Sequence, residues 1–382
     1  MLLLIILLLL PAVGSCYDLR EINEAAIAQN FSLDLLDNGQ LVLLAQTTQP
    51  VPRNETGETQ PIQNISLMGT ADTAAAAARD IFLHFPRLFL WIHANTLFIG
   101  ENLAQDSLTL ISDFLMRNRN LRFQSSVFLV RGISIQDLHK AMNEMSFGST
   151  SAQSLVQQME NQGQALGYYT PLESIELLER MLTPGIEPAL PQLRLVKDGD
   201  KDRILLQGMG VIKGNRLIGE LNQEESQGYY YLQSKKEEGG IIHVDWPDSP
   251  DAQVVMYCTT FHSRTRPLIQ DGKLSMKIEI ECELQYLESL GDYDVYLPAH
   301  KESLEKLAEA RIKQQVLSCI KRAQQLNSDI LGWGLTTARY KPEWWGDMAA
   351  QWDQLFPYLS SQIVVTCTLC SDGLSRDTFR FN

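Results

Sequence analysis

The chain has 382 residues, of which 45% are hydrophobic and 20% charged, and its net charge is −14. This length predicts two or three domains with sizeable cores. The acidic balance argues against binding to nucleic acid, which requires a basic face to displace phosphate counterions. It also argues against attachment to an anionic membrane by charge alone, so we attribute the acidity to solubility.

The N-terminus has the pattern of a bacterial lipoprotein signal. Residues 2–13 are nearly all Leu and Ile. This run is too short to cross a bilayer, which takes about 20 residues, but it suits the apolar region of a signal peptide. Val-Gly-Ser-Cys follows and ends at Cys16. We predict that residues 1–15 are removed and that Cys16 carries a diacylglyceryl group on sulfur and an acyl group, such as palmitate, on nitrogen. The alternative is an ordinary secretion signal in which Cys16 has no role.

Strands and helices alternate in the first part of the chain. The stretches GQLVLLAQ, NTLFIG and SSVFLVRG predict strands, and the stretches ADTAAAAARDIFLHF and AQDSLTLISDFLMRN predict helices. Residues 47–64 are rich in Thr, Gln, Asn and Pro, which indicates an exposed loop. This alternation is typical of an α/β arrangement.

Two further helices are predicted by their start signals. In SIQDLHKAMNEMSF, Ser134 and Asp137 form a variant of the capping box. In TPLESIELLERML, we expect Thr170 to cap the helix, Pro171 to take its first position and Glu173 to close the box. Prolines then become frequent, and we place a domain boundary near residue 190.

The second half reads as strands followed by helices. A β meander is predicted over about 203–246, with Gly214-Asn215 as a tight turn. Two longer strands, QVVMYCTTFHS and KLSMKIEIECELQYLE, precede a long helix over 300–327 with one apolar stripe. A last helix, EWWGDMAAQWDQLF, and a last strand, SSQIVVTCTLC, complete the predicted C-terminal domain of residues 191–382.

Five cysteines follow Cys16, and an odd number cannot all pair. The two in CTLC have zinc-site spacing, but they lie on a predicted strand, where residues three apart face opposite sides. We therefore interpret the cysteines as core residues and leave open a bridge between the neighbouring strands that carry Cys258 and Cys282. The five residues are Cys258, Cys282, Cys319, Cys367 and Cys370.

Motifs for catalysis are missing from the sequence. The six histidines form no HExxH motif, there is no G-x-S-x-G elbow, and the glycines within 208–214 miss the spacing of a phosphate loop. Arg117, Arg119 and Arg122 could bind an acidic group, but we favour a helix C-terminus whose dipole they complement. We predict no metal site, no cofactor and no catalytic residue.

Several motifs, in order along nearly the whole chain, resemble those of the Ger(x)C spore germination proteins, the C subunits of nutrient germinant receptors. The mature start is similar over residues 16–23, and NSDILGWGLTTARYKPEWW resembles the C-terminal signature of the family. The remaining matched positions are His93, Ile99, Gly100, Glu101, Asp113, Arg117 and Arg122 in the first half and Gly219, Leu221, Glu225 and Gly228 in the second.

The resemblance implies an α+β protein of about three domains, each of sheet and helices in an arrangement peculiar to the family. It implies a non-enzymatic lipoprotein on the outer face of the spore's inner membrane. There it would act with integral membrane A and B subunits in nutrient-triggered germination. Cys16 is the only functional residue that the resemblance transfers, and it leaves open which nutrient is sensed and whether this subunit contacts it.

Two other functions were weighed against this interpretation. A solute-binding lipoprotein of a transporter has the same anchor and size, but such proteins usually have two lobes of repeated βα units. The uninterrupted run of strands predicted over 203–285 disfavours it. A lipid-anchored cell-wall hydrolase is the third possibility, and it lacks a catalytic motif.

Overall fold

The computed structural model describes residues 25–49, 63–85, 87–118, 121–122, 124–145, 157, 160–161, 163, 165–199, 201–233, 240–246, 249–290 and 297–371. Over these residues two β-sheets, one of nine strands and one of four, are packed with α-helices. The predicted α+β class is confirmed. Cys16, the signal peptide and most of the predicted loop over 47–64 lie outside the described residues.

The larger sheet has a parallel centre and antiparallel flanks. Its strands are β1 (Ala25–Leu35), β2 (Leu41–Gln49), β3 (Gln63–Ala71), β4 (Leu88–Leu90), β5 (Thr96–Gly100), β6 (Ser126–Arg131), β7 (Ala189–Asp198), β8 (Lys201–Lys213) and β9 (Arg216–Leu221). The order is β3-β2-β1-β5-β6-β7-β8-β9, and the short β4 also pairs with β1. The strands from β1 through β5 and β6 to β7 run parallel to one another. Strands β7–β9, which follow the predicted domain boundary near residue 190, belong to this same sheet. The boundary itself stays a prediction.

Helices cover both faces of this sheet. They are α1 (Ala74–His84), α2 (Glu101–Asp106), α3 (Thr109–Arg117), α4 (Ile135–Met145) and α5 (Ser174–Leu182). Leu97 and Ile99 of β5 pack in the core that contains α1, α2, α3 and α5, whereas Phe98 between them packs in the core that contains α4. The central strands are therefore buried on both sides, which explains their continuous apolar runs.

The smaller sheet, of order β10-β11-β12-β13, packs against the longest helix. The strands of this sheet are β10 (Ile241–Trp246), β11 (Ser249–Gln270), β12 (Lys273–Ser289) and β13 (Ser360–Ser371). The helices of this part of the chain are α6 (Gln223–Tyr231), α7 (Pro298–Gln325), which is the longest, α8 (Trp333–Tyr340), α9 (Pro342–Met348) and α10 (Trp352–Leu355). The apolar stripe predicted for α7 is buried, except that Leu307 is half-buried. The hairpin turn is confirmed: Gly214 joins β8 to β9 with φ of 62°.

Helix α5 begins later than the sequence suggests, so the predicted cap at Thr170 is wrong. Glu173 is the N-cap, and Glu176 provides the reciprocal bond of the capping box. The reason lies in the neighbouring strand β6. Leu172 accepts a hydrogen bond from Val127, and Glu173 forms a β-bridge with Ser126. These contacts hold the backbone extended up to the start of the helix.

A helix interrupts the predicted meander, and this is a second correction. Residues Gln223–Tyr231 form α6, although three consecutive tyrosines favour a strand by propensity. Asn222 caps the helix and forms a capping box with Glu225. This signal was present in the sequence and outweighs the propensity of the tyrosines. The run of strands over 203–285 is therefore not continuous, and it no longer argues against a solute-binding protein.

Helices are also more divided than predicted. The stretch AQDSLTLISDFLMRN contains the end of α2 and the whole of α3 rather than one helix, because Ser107 is extended between them. The last predicted helix is divided into α9, a 3₁₀ turn, α10 and a second 3₁₀ turn. Helix α8, which precedes them, was not predicted.

A close approach of two helices explains one family motif glycine. A Cβ at Gly228 of α6 would lie 2.1 Å from the carbonyl oxygen of Gln315 in α7. We predict that Gly228→Ala lowers the free energy of unfolding by about 2–3 kcal/mol, because an added methyl group forces the helices apart. Thermal unfolding followed by circular dichroism measures this change.

The matched control is Gly346→Ala in α9. An added Cβ there meets nothing within 4 Å, so the substitution is expected to be neutral or to stabilise by up to about 1 kcal/mol. Equal losses of stability in the two variants would show that the α6–α7 contact is not the cause.

Candidate functional site

The chain joins the fold from the Cys16 side at strand β1. Ala25, Ala26 and Ile27 pair in parallel with residues 88–90 of β4. Because eight residues separate Cys16 from Ala25, the predicted anchor is tethered to this corner of the larger sheet. Any site close to β4 therefore lies near the predicted anchor.

A groove opens at this corner, between helices α1 and α3. Its volume is about 1100 Å³. Residues 89–92 form its floor, where Phe89 and Trp91 are buried and Ile92 is 57% exposed. We call it the helix groove, and its lining is Thr73, Ala74, Ala75, Ala78, Arg79, Phe82, Phe89, Leu90, Trp91, Ile92, Thr109, Leu110, Asp113, Phe114, Arg117 and Asn118.

The walls of the helix groove combine apolar surface with a few charges. Leu110 of α3 is 45% exposed beside Phe114, and the α1 wall is made largely of alanines. Arg117 pairs with Asp113 at 3.3 Å. Arg79, on the opposite wall, forms no ion pair with any described residue. The groove therefore suits an apolar segment that carries a negative charge.

The Arg117–Asp113 pair bears on the predicted role of the arginines. Arg117 lies in the last turn of α3, as expected for a residue that complements the helix dipole. Arg119 lies outside the described residues. Among the described residues, Arg117 thus takes the position predicted for it at the C-terminus of the helix.

The motif Ile99-Gly100-Glu101 has a structural explanation. Asp34 of β1 accepts a hydrogen bond from the Leu103 amide, which satisfies the N-terminus of α2. A Cβ at Gly100 would lie 2.0 Å from the Asp34 carboxyl carbon, so only glycine permits this cap. Glu101 pairs with Arg131 at 3.0 Å. These residues connect β1, β5 and β6 rather than form a ligand site.

A carboxylate cluster lies where the β8–β9 hairpin meets the C-terminal helices. Lys213 donates to Asp353 at 3.1 Å and to the Asn327 carbonyl oxygen at 2.6 Å. Glu187 accepts from the Gly214 amide at 2.9 Å, and burial raises its pKa to about 7. Lys213 supplies the positive charge of this cluster. Among the described residues no group of three or more His, Cys, Asp or Glu is arranged to bind a metal.

Asp329 lies beside this cluster and is almost completely buried. It accepts hydrogen bonds from the Trp333 and Gly334 amides at 3.0 and 2.8 Å and from the Trp352 indole at 2.9 Å. Burial raises its pKa to about 6, and these N–H donors oppose the shift. The carboxylate thus holds α8 and α10 together.

His139 of α4 is buried in a polar network on the opposite face of the larger sheet. Its Nε2 contacts the Ser32 hydroxyl at 2.6 Å, and its Nδ1 contacts the Ser66 hydroxyl at 2.9 Å. Gln46 bonds Asn143, which extends the network along α4. Burial lowers the pKa of His139 to about 3, so the imidazole is neutral at physiological pH. With no acid among its bonded partners, the network positions α4 rather than activates a nucleophile.

Three cysteine thiols meet in the core of the smaller sheet. Cys282 pairs directly with Cys367 across β12 and β13, and its hydrogen bonding with Cys258 and Cys367 raises the pKa of its thiol. All five cysteines after Cys16 are free thiols, so the possible Cys258–Cys282 bridge is absent. Cys367 is buried and Cys370 exposed, which confirms that they face opposite sides of the strand.

Comparison with known proteins assigns the two halves of the chain to related families. Residues 18–195 match the family described as spore germination protein N-terminal domain. Residues 207–373 match the family described as spore germination B3/GerAC like, C-terminal. The chain belongs to this family of spore germination proteins.

Individual spore germination proteins are similar to this chain over most of its length, which supports the family assignment. Spore germination protein KC of Bacillus subtilis is 22% identical, over 99% of this chain and 97% of that relative. Spore germination protein B3 of the same organism is 19% identical, over 91% of each chain. The crystal structure of the GerBC protein has the same fold, with a TM-score of 0.56 at 15% identity, covering 89% of this chain and 96% of that one.

Proposed function

We propose that this protein is a non-enzymatic, lipid-anchored subunit of a germinant receptor that acts in nutrient-triggered spore germination. The observation that carries the proposal is the match of both halves of the chain to spore germination families. In this proposal the protein lies on the outer face of the spore's inner membrane and acts together with integral membrane A and B subunits.

The anchor in this proposal is Cys16. Among the described residues no helix combines the length and the apolar composition needed to cross a bilayer. The sequence places an apolar run and two small residues directly before this cysteine. Two acyl chains, at about 0.8 kcal/mol per buried CH₂, give stable anchoring where one chain gives only marginal binding.

A non-enzymatic role is supported by how the described reactive side chains are used. His139 bonds two serines, Asp329 accepts bonds from two helices, and Cys282 lies between two other thiols. Each of these groups therefore has a structural partner and holds elements of the fold together.

The anchor is tested by Cys16→Ala in sporulating cells. We expect the variant to carry no acyl label, to leave the membrane fraction and to give spores with a reduced nutrient response, because the acyl chains that hold the subunit are gone. Acyl labelling, membrane fractionation and spore germination after nutrient addition measure the three effects. Cys370→Ala, which removes an exposed thiol elsewhere, is the matched control and should behave as wild type.

One result would contradict the anchor itself, and another would contradict its role in germination. Wild-type protein without acyl label would show that Cys16 belongs to an ordinary secretion signal. A normal nutrient response in spores whose Cys16→Ala protein lacks the label would show that the acyl chains are dispensable. The receptor partnership is tested separately by co-purification with the A and B subunits, and a large stable pool of uncomplexed protein in spores would argue against it.

A further inference from the structure

The helix groove is open in the structure, and the chain itself supplies a segment that matches it. The eight residues between Cys16 and β1 read Tyr-Asp-Leu-Arg-Glu-Ile-Asn-Glu, from Tyr17 to Glu24. They contain three large apolar side chains and three acidic ones. The groove offers the complementary surface, with exposed Ile92 and Leu110 and with Arg79 on its rim.

The path of the chain brings this segment to the groove. Ala25, which directly follows the segment, pairs with the residue at the start of β4. The groove floor consists of the last two residues of β4 and the two residues after them, and Ala26 is buried in the same core as Phe89 and Trp91. The segment therefore leaves the fold next to β4, whose residues Phe89 and Leu90 line the groove.

The length of the segment also fits. Eight extended residues span up to about 27 Å. The α1 wall has eleven residues, so it is about 16 Å long at 1.5 Å per residue. The segment can run the length of the wall without strain on the backbone.

The charges of residues 17–24 match those of the groove, which a purely apolar segment would not do. Asp18, Glu21 and Glu24 outnumber the single Arg20, so the segment is acidic. On the groove, Arg117 already pairs with Asp113, whereas Arg79 has no acidic partner among the described residues. An acidic side chain of the segment can pair with Arg79 while its apolar side chains cover Ile92 and Leu110.

We propose that residues 17–24 dock in the helix groove of their own chain. The docked segment covers the apolar floor and fixes Cys16 beside the α1 and α3 face. The consequence for orientation rests on the proposed anchor: acyl chains held at this face turn the groove side of the larger sheet toward the bilayer. The contact between segment and groove needs no acyl group.

Trypsin cleavage after Arg20 tests the docking. The protein is the full mature chain of residues 16–382 with Cys16→Ser, which needs no detergent and works whether or not the anchor proposal holds. Release of residues 16–20 is followed by mass spectrometry and compared with a synthetic peptide of residues 17–30. We expect cleavage in the protein to be at least about tenfold slower, since proteolysis follows the population of the open segment.

Substitutions on both sides of the contact identify where the segment docks. Ile92→Asp and Arg79→Glu in the groove, and Ile22→Ser in the segment, should each bring the cleavage rate toward that of the peptide. Ile22 lies outside the described fold, so its substitution guards against a groove variant that merely misfolds. Leu182→Asp is the matched control, because that side chain is 69% exposed and is not part of the groove lining.

Three results would overturn the proposal. Cleavage of the protein as fast as the peptide would show an undocked segment and leave the groove for an apolar helix of a membrane partner. Protection that none of the groove substitutions changes would place the segment elsewhere. Protection that rises with protein concentration would assign the groove to the segment of a second copy.

Discussion

We expect the free energy of unfolding of the Asp329→Ala variant to be lower than that of wild type by roughly 3 kcal/mol at pH 7.5. The substitution removes the acceptor of the first amides of α8, worth about 1 kcal/mol as a helix cap. It also leaves the Trp352 indole N–H without its partner in the core, which costs about 1–3 kcal/mol for a buried donor. Urea unfolding followed by tryptophan fluorescence measures the loss, and Trp333 and Trp352 report on the site directly.

Asp353→Ala is the control for the loss of a nearby carboxylate. Its side chain is 73% exposed and pairs with Lys213, so we expect a change of at most about 1 kcal/mol. If both variants lost the same stability, the buried hydrogen bonds of Asp329 would not be the cause. A variant that is as stable as wild type would mean that α8 and α10 do not depend on this carboxylate.

Acidification is expected to destabilise the larger sheet through His139. The pKa of the buried imidazole is about 3, against about 6.5 in an unfolded chain. Between these values the unfolded state binds the proton and the folded state does not, so stability falls as the pH falls. The loss is about 1.4 kcal/mol per pH unit, or about 2 kcal/mol at pH 5.

The measurement compares wild type with His139→Gln, which does not titrate. Glu187 changes stability in the opposite sense: its pKa is raised to about 7, so its contribution is present at low pH and is lost as the pH rises through 7. Both proteins contain Glu187, so its effect cancels when the stability of His139→Gln is subtracted from that of wild type at each pH. At pH 7 we expect wild type to have the higher free energy of unfolding. The difference between wild type and His139→Gln should be smaller by about 2 kcal/mol at pH 5. Parallel curves would show that His139 does not carry the pH dependence.

The local patterns of this sequence predicted most strands and helices, because their signals lie within a few residues. The alternation of β11 and β12, the apolar stripe of α7 and the Gly214 turn are examples. Two helix starts were misread for different physical reasons. At α5 the backbone of Leu172 and Glu173 is held extended by β6, a contact that the local sequence does not show. At α6 the capping box of Asn222 and Glu225 was in the sequence, but the tyrosines after it favoured a strand.

The sequence predicts a site only where one short segment defines it. The lipid attachment at Cys16 rests on the residues directly before it, and it stays a prediction. The helix groove brings together residues from two helices, from β4 and from the chain after β4, so no single stretch indicates it. His139 likewise meets Ser32 across 107 positions, and in the sequence it is one isolated histidine. The resemblance supplied the family of spore germination proteins, which composition and spacing could not.

The hairpin between the two matched family segments limits how the protein can be divided. The first match ends at residue 195, inside β7, and the second begins at residue 207, inside β8. These strands are hydrogen-bonded along most of their length. A fragment that ends at residue 195 would expose the open edge of β7, and exposed edges promote aggregation. Gene fusions or split versions of this protein should therefore keep residues 189–221 in one piece with the first half.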